Sequence, residues 1–330
     1  MPESIIQVAD LSKHFRVSVA RPGILGALAG LFHRRYRTIR AVDQVTFTIA
    51  QGELVGYLGP NGAGKSTTIK MLTGLLVPTS GNLKVDGRLP WKDRQQYVSD
   101  IGAVFGQRTT LWWDLPVIES LELLKHIYRI PAQRFKTNLD EFRQLLELDA
   151  FLEIPVRSLS LGQRMRADLC AALLHQPKLL FLDEPTIGLD VVAKERIRQF
   201  IRHVNREHGV TVLLTTHDLS DVERLCRRVM IIDHGKLLYD GTLEELRRRF
   251  GGKRELQVEF SQSYSQLEIE GAEVVRTEGN RATFQFERHK ISASSLIGRL
   301  SQRYRIRDLT VREPDIESTI RRIYEEKLLD

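Results

Sequence analysis

Compact apolar runs and longer amphipathic stretches alternate along the chain, and their periods separate strands from helices. Glu53–Leu58, Leu179–Leu182 and Val210–Thr216 are short and mostly apolar, the pattern of strands buried on both faces of a parallel sheet. Residues 1–17 and 41–58 alternate apolar and polar positions and predict a small antiparallel layer. Across residues 108–170 the period becomes helical, with Leu121, Leu124, Ile127 and Tyr128 on one stripe and Leu139, Phe142, Leu145 and Leu146 on another.

Gly251-Gly252 interrupts this pattern. Beyond it Leu256, Val258 and Phe260 alternate, as do Phe284 with Phe286 and Leu309 with Val311. Helices are predicted near residues 291–304 and 315–326, the second carrying Ile316, Ile320, Ile323 and Tyr324 on one face. The division expected is therefore a large α/β domain over residues 1–250 and a small α+β accessory domain over 251–330, which 330 residues are enough to supply with two cores.

Composition narrows the setting. The two cysteines, Cys170 and Cys226, have no pairing or metal spacing and read as reduced thiols. No apolar run approaches the ~18–20 residues that span a bilayer, and the N-terminus lacks the pattern of a secretion signal. The net charge of +7 is local: Lys13, Arg16, Arg21, Arg34, Arg35, Arg37 and Arg40 lie within residues 11–42, which hold no Asp or Glu. A local basic stripe fits an anionic lipid surface or an acidic partner better than nucleic acid. Ile24, Leu25, Leu28, Leu31 and Phe32 in the same region share one face of a helix with arginines at its C-terminal end, so residues 18–38 are expected to form a basic amphipathic insertion that lies on the membrane or on a membrane partner, or else packs on its own domain.

The chemistry is carried by Gly59-Pro60-Asn61-Gly62-Ala63-Gly64-Lys65-Ser66-Thr67, placed between a strand-like run and a helical one. This spacing fits the glycine-rich loop that cradles nucleotide phosphates at a helix N-terminus. Lys65 is the expected charge on the β- and γ-phosphates and Ser66 the expected hydroxyl on Mg²⁺. Downstream, the apolar run Leu179–Leu182 delivers Asp183 and Glu184 to the C-terminal edge of a parallel sheet, where ligands sit. Asp183 is placed to hold Mg²⁺ through water and Glu184 to act as general base.

Between these elements stands Leu159-Ser160-Leu161-Gly162-Gln163. The set formed by the phosphate loop, Gln107, this motif, Asp183-Glu184, Ile187-Gly188-Leu189-Asp190 and His217, in that order, resembles the nucleotide-binding subunit of an ABC transporter over about residues 3–246. The resemblance implies a P-loop NTPase of ABC type: a mixed sheet core, an antiparallel β layer and a helical subdomain. It implies ATP with Mg²⁺, Gln107 at the metal and the attacking water, His217 as a γ-phosphate sensor, and Ser160, Gly162, Gln163 and Asp190 as part of the nucleotide site. Two such subunits would close head to tail so that Ser160 meets the nucleotide of the opposite one. A homodimer working with separate transmembrane permease subunits at the cytoplasmic face of the membrane follows, with no nucleic acid. An aromatic after the first strand would stack on adenine: counting forward gives Phe15, counting back from the loop gives Tyr36, and both stay open. Trp112 and Trp113 fall where the family docks its membrane partner, or else are core.

The Leu161 variant of the motif, the insertion and Glu313-Pro314-Asp315-Ile316-Glu317 are similar to ATPase subunits of ABC-2-type exporters, including multidrug and viologen-type export ATPases. A polysaccharide or lipid exporter is the nearest alternative. Soluble ABC proteins of ribosome or DNA are disfavoured by the single phosphate loop and the lack of sustained heptads between it and Asp183.

Overall fold

The computed structural model describes residues 4–19, 35–92, 94–106, 108–251, 253–264, 266–287, 290–313 and 316–325. The chain divides into two compact units, Met1–Gly241 and Thr242–Asp330. The boundary that the sequence places at 250 differs from this by one helix, α8 (Leu243–Phe250), which belongs to the second unit.

The first unit is built on a six-stranded sheet in the order β5-β6-β7-β3-β8-β9. Its members are β3 (Leu54–Leu58), β5 (Ile101–Phe105), β6 (Leu179–Asp183), β7 (Thr211–Thr216), β8 (Arg228–Asp233) and β9 (Lys236–Thr242). The pairs from β5 through β8 are all parallel, with β3 between β7 and β8. Every residue of β7 is buried, which is why these strands are apolar runs without alternation.

Against this sheet stands an antiparallel layer, β2-β1-β4, made of β1 (Ser4–Val19), β2 (Arg35–Ala50) and β4 (Ser80–Val85). Ile6, Leu11, Val45 and Phe47 of the layer share one apolar core with Tyr57, Phe181, Leu213 and Met230 of the larger sheet. The β1–β2 ladder runs out to Ser18↔Tyr36 and Val19↔Arg35. Residues 18–19 and 35–38 are therefore strand, a correction to an insertion that was expected to span 18–38: Val17, Thr38 and Ile39 are β-branched and continue the pairing. The proposed helical face Ile24–Phe32 lies outside the described residues.

Helices α1 (Lys65–Leu72) and α2 (Arg94–Val98) flank the sheet, and α3 (Val117–Ile127), α4 (Ala132–Leu146) and α5 (Leu161–Leu173) form the helical region that the periodicity predicts. Helix α6 (Val191–Glu207) begins on Asp190, whose Oδ1 accepts from the Ala193 N–H at 2.8 Å. It is joined to α7 (Leu219–Leu225) by a buried ion pair, Arg198–Asp221 at 2.6 Å, with Thr186 Oγ1 donating to the same carboxylate. Cys170 and Cys226 are both buried and free, and burial pushes both thiols well above their ordinary pKa.

The second unit is a four-stranded antiparallel sheet in the order β11-β12-β10-β13, with β10 (Arg254–Phe260), β11 (Ala272–Glu278), β12 (Arg281–Phe286) and β13 (Ile306–Arg312). Leu256, Val258, Phe260, Phe284 and Phe286 of its inner face pack with Leu296 and Leu300 of α9 (Ala293–Arg303). Helix α10 (Ile316–Glu325) packs on α8. Among the described residues no helix is long and apolar enough to cross a membrane.

Candidate active site

The phosphate loop leaves the buried end of β3 and must pass close to its neighbours. A Cβ on Gly59 would stand 2.4 Å from the Ile232 carbonyl, and Gly64 takes φ +111° with the Ala41 carbonyl 2.4 Å from where its Cβ would be. Neither position accepts a side chain without moving backbone. Helix α1 opens directly after Gly64, so its first-turn N–H groups face the loop.

Lys65 is the first residue of that helix and only 5% exposed. Its ammonium bends back over the loop and donates to the Gly59 carbonyl at 2.7 Å and the Pro60 carbonyl at 3.1 Å. Burial pushes its pKa down, while the nearby charges of Glu184 and Asp183 oppose that shift. The cation is thus held by dipoles that an anionic ligand could replace.

Two carboxylates arrive from β6. Asp183 Oδ1 accepts from the Ser66 hydroxyl at 3.2 Å and from the Thr215 hydroxyl of β7 at 2.5 Å. At Glu184 the chain turns sharply, with φ +55°, while its N–H donates to the Thr215 carbonyl at 3.0 Å. A non-glycine residue in this region is uncommon and strained. Here the turn sends Glu184 away from the strand: its Oε1 lies 3.3 Å from His217 Nδ1 and 4.0 Å from Lys65 Nζ. Asn61, Ser66, Asp183, Glu184 and His217 line a cleft of about 560 Å³, together with Phe105, Gly106 and Arg108. Gln107 lies outside the described residues; its neighbour Gly106 donates its N–H to the Asp183 carbonyl at 2.8 Å.

Ser160, Gly162 and Gln163 form a different surface. Ser160 caps α5 in a reciprocal box, accepting from the Gln163 N–H at 3.2 Å while its own N–H donates to Gln163 Oε1 at 2.9 Å. A Cβ on Gly162 would touch Ala193 of α6 at 3.4 Å, and Leu161 Cδ2 lies 3.1 Å from the Cβ position of Gly188. The motif therefore rests on the loop that ends in Asp190, and Leu161 is accommodated there. The hydrogen bonds of Ser160 stay within its own turn.

Phe15 and Tyr36 both lie exposed on the β1–β2 hairpin, at 37% and 59%. Phe15 pairs with Ile39 and Tyr36 with Ser18. Because side chains alternate along a regular ladder, Phe15 and Tyr36 occupy opposite faces.

Sequence reasoning missed Asp168, buried on α5. Its Oδ1 accepts from the Thr109 hydroxyl at 2.9 Å, the Thr110 N–H at 2.9 Å and the Thr110 hydroxyl at 3.0 Å. It ties the segment that follows Gln107 to the helix that follows Ser160. Burial raises its pKa even against these bonds. The signal was an acid between apolar residues in Ala167-Asp168-Leu169.

Comparison with known proteins agrees with this geometry. A family model described as ABC transporter matches residues 42–187, and one described as ATP-binding protein DrrA1-3-like, C-terminal domain, matches residues 241–317. The chain is 33% identical over 215 residues to the ABC transporter ATP-binding protein NatA of Bacillus subtilis, covering 65% of this chain and 87% of NatA. It is 35% identical over 221 residues to the daunorubicin resistance ATP-binding protein DrrA3 of Streptomyces coeruleorubidus, covering 67% of this chain and 69% of that one. Among solved structures, an ATP-binding subunit of an ABC transporter superposes with TM-score 0.63 at 27% identity, covering 74% of this chain and 93% of its own. A dimeric post-hydrolysis ATP-binding cassette with ADP and Pi superposes with TM-score 0.60 at 27% identity, covering 72% and 98%. A cradle for phosphate, a paired Asp and Glu at the sheet edge and these relatives have one common account: the chain belongs to the ABC transporter family, as an ATP-binding, ATP-hydrolysing subunit of the branch that serves ABC-2-type exporters.

Proposed function

We propose that this subunit drives its exporter by closing on a second copy around ATP and reopening after hydrolysis. The observation that carries the reading is the position of Glu184, held at a left-handed turn between His217 and the buried Lys65. Lys65 and the first turn of α1 bind the β- and γ-phosphates, with Gly59, Pro60, Asn61, Gly62, Ala63, Gly64, Ser66 and Thr67 shaping the loop around them. Glu184 takes a proton from the attacking water, and His217 orients Glu184 and the terminal phosphate. Gln107 approaches the same water and metal, and Phe15 or Tyr36 stacks on adenine.

Mg²⁺ fits the oxygen donors already side by side, Ser66 Oγ and Asp183 Oδ1. When bound it neutralises charge on the phosphate oxygens. Ser160, Gly162 and Gln163, together with Asp190 on the neighbouring loop, face the nucleotide of the partner copy, consistent with their separation from the cleft lining.

The permease subunits dock on the helical region, at the cytoplasmic face of the membrane. Trp112 and Trp113 support this, being 40% and 50% exposed rather than core, with the Arg164 guanidinium 5.6 Å from the Trp113 ring centroid. Exposed aromatics of this kind anchor interfaces. The basic stripe adds an attraction to anionic lipid. Relatives named for daunorubicin and linearmycin resistance make drug-like molecules the cargo class this reading favours.

Mixing two inactive variants tests the shared site. Lys65→Ala and Ser160→Arg should each hydrolyse ATP poorly, but a mixed dimer holds one intact site, so activity should return on mixing. Absence of any recovery in a verified mixed dimer would overturn the head-to-tail arrangement.

A further inference from the structure

A second group of ligating side chains lies away from the nucleotide cleft. Glu141 projects from α4, while His203 lies in the last turns of α6 and His208 at its C-terminal cap. Both imidazoles converge on one carboxylate oxygen: His203 Nε2 is 2.7 Å and His208 Nε2 2.8 Å from Glu141 Oε1. The three residues offer two nitrogens and one oxygen, all within 4.8 Å of one another. Each side chain is about one-third exposed, at 30%, 32% and 28%, so the cluster is open to solvent.

Its surroundings hold the donors in place. The Phe142 ring meets His208 edge-on with centroids 6.4 Å apart and Phe200 at 5.3 Å, and the two imidazole rings are 5.7 Å apart. The C-terminal end of α6 carries the negative pole of the helix dipole, which favours a cation.

We propose that Glu141, His203 and His208 form a binding site for a divalent transition-metal ion of the zinc class, which clamps α4 to the end of α6. Two imidazoles and a carboxylate are a set that such ions take, with a fourth position left for water. Ligand bonds of about 2.0–2.2 Å would set the donor atoms roughly 3.3 Å apart. The present spacings therefore need to open by about half an ångström, a change that partly exposed side chains make by rotation. The proton that each Nε2 now directs at Glu141 moves to Nδ1 through solvent, leaving a neutral imidazole with its lone pair on the metal. Mg²⁺ prefers oxygen and is excluded by the same donors. The site couples segments 62 and 67 positions apart in sequence, so occupancy stiffens the joint between the helical region and the sheet domain.

The test uses the untagged full chain, stripped of metal and kept free of nucleotide, titrated with Zn²⁺ and separately with Mg²⁺ by calorimetry. One tight equivalent of Zn²⁺ is expected, with a raised melting temperature, and no such step with Mg²⁺. The H203Q/H208Q variant, shown folded by circular dichroism, should bind at that site at least roughly 100-fold more weakly and lose the thermal shift. Equal stoichiometry and affinity in wild type and variant would mean that zinc sits on other histidines and would overturn the proposal. Should that variant not fold, Co²⁺ added to wild type decides: intense visible d–d bands of a low-coordinate nitrogen and oxygen site support it, and the faint spectrum of hydrated Co²⁺ overturns it.

Discussion

Glu184 Oε1 lies 3.3 Å from His217 Nδ1, across the gap between the ends of β6 and β7. The parallel pairing of those strands brings the two side chains together, and the positive φ of Glu184 aims its carboxylate at the imidazole. If Glu184 is the general base, the Glu184→Gln variant should keep ATP binding and slow hydrolysis by about 10²- to 10⁴-fold. Single-turnover hydrolysis beside equilibrium nucleotide binding measures both. Full turnover in that variant would remove the assignment.

Replacing His217 by alanine should lower the rate by roughly 10²-fold with little change in ATP affinity, since one transition-state hydrogen bond is lost. The split between kcat and nucleotide Kd is the readout. A loss confined to affinity would make His217 a binding residue only.

The opposite-face placement of Phe15 and Tyr36 gives a binary expectation. One alanine substitution, and not the other, should weaken ATP binding by about 1–3 kcal/mol, the usual cost of losing a stacked base. Fluorescent nucleotide titration of both variants is enough. Equal losses would contradict the alternation of the ladder.

The buried pair Arg198–Asp221, with side chains 4% and 0% exposed, joins α6 to α7. Removing one partner through Asp221→Ala leaves a buried charge and should cost about 3–5 kcal/mol in denaturant unfolding. Replacing both by apolar residues of similar volume should recover most of that loss.

Asp218 pairs with Lys194 at 2.5 Å. Burial pushes its carboxyl up, but the Lys194 and Ser220 contacts outweigh it and hold the pKa down at about 2. Its folded pKa is below the unfolded value, so its contribution is complete above about pH 4 and is lost as pH falls toward 2. The contribution is at most roughly 2 kcal/mol after allowance for partial exposure. Lys194→Met should therefore reduce stability at neutral pH and flatten its fall between pH 4 and 2, measured by denaturant midpoints across that range.

Much of the site was legible because its chemistry is local in sequence. The run Gly59–Thr67 needs its glycines where neighbouring carbonyls crowd the backbone, and Leu179–Leu182 needs apolar residues because β6 is covered on both faces. The strands of the second unit were readable where one face packs on α9, as in Leu256, Val258 and Phe260. Strand β11 was not, since only Ala272 and Val274 pack on the core and its other residues are exposed. The extension of the β1–β2 ladder was hidden by charge, with Arg16 and Arg37 in positions that pairing, not hydrophobicity, fixes. Contacts made across long separations, such as Thr215 to Asp183, Asp168 to Thr110 and both histidines to Glu141, have no signature in spacing at all.

The central claim is an ATPase that works on membrane subunits. Glu184→Gln protein should be captured with ATP from membranes of its host, and the chains that accompany it identified. Recovery of hydrophobic multi-span subunits is the predicted result. Recovery of ribosomes or DNA in their place would contradict the account.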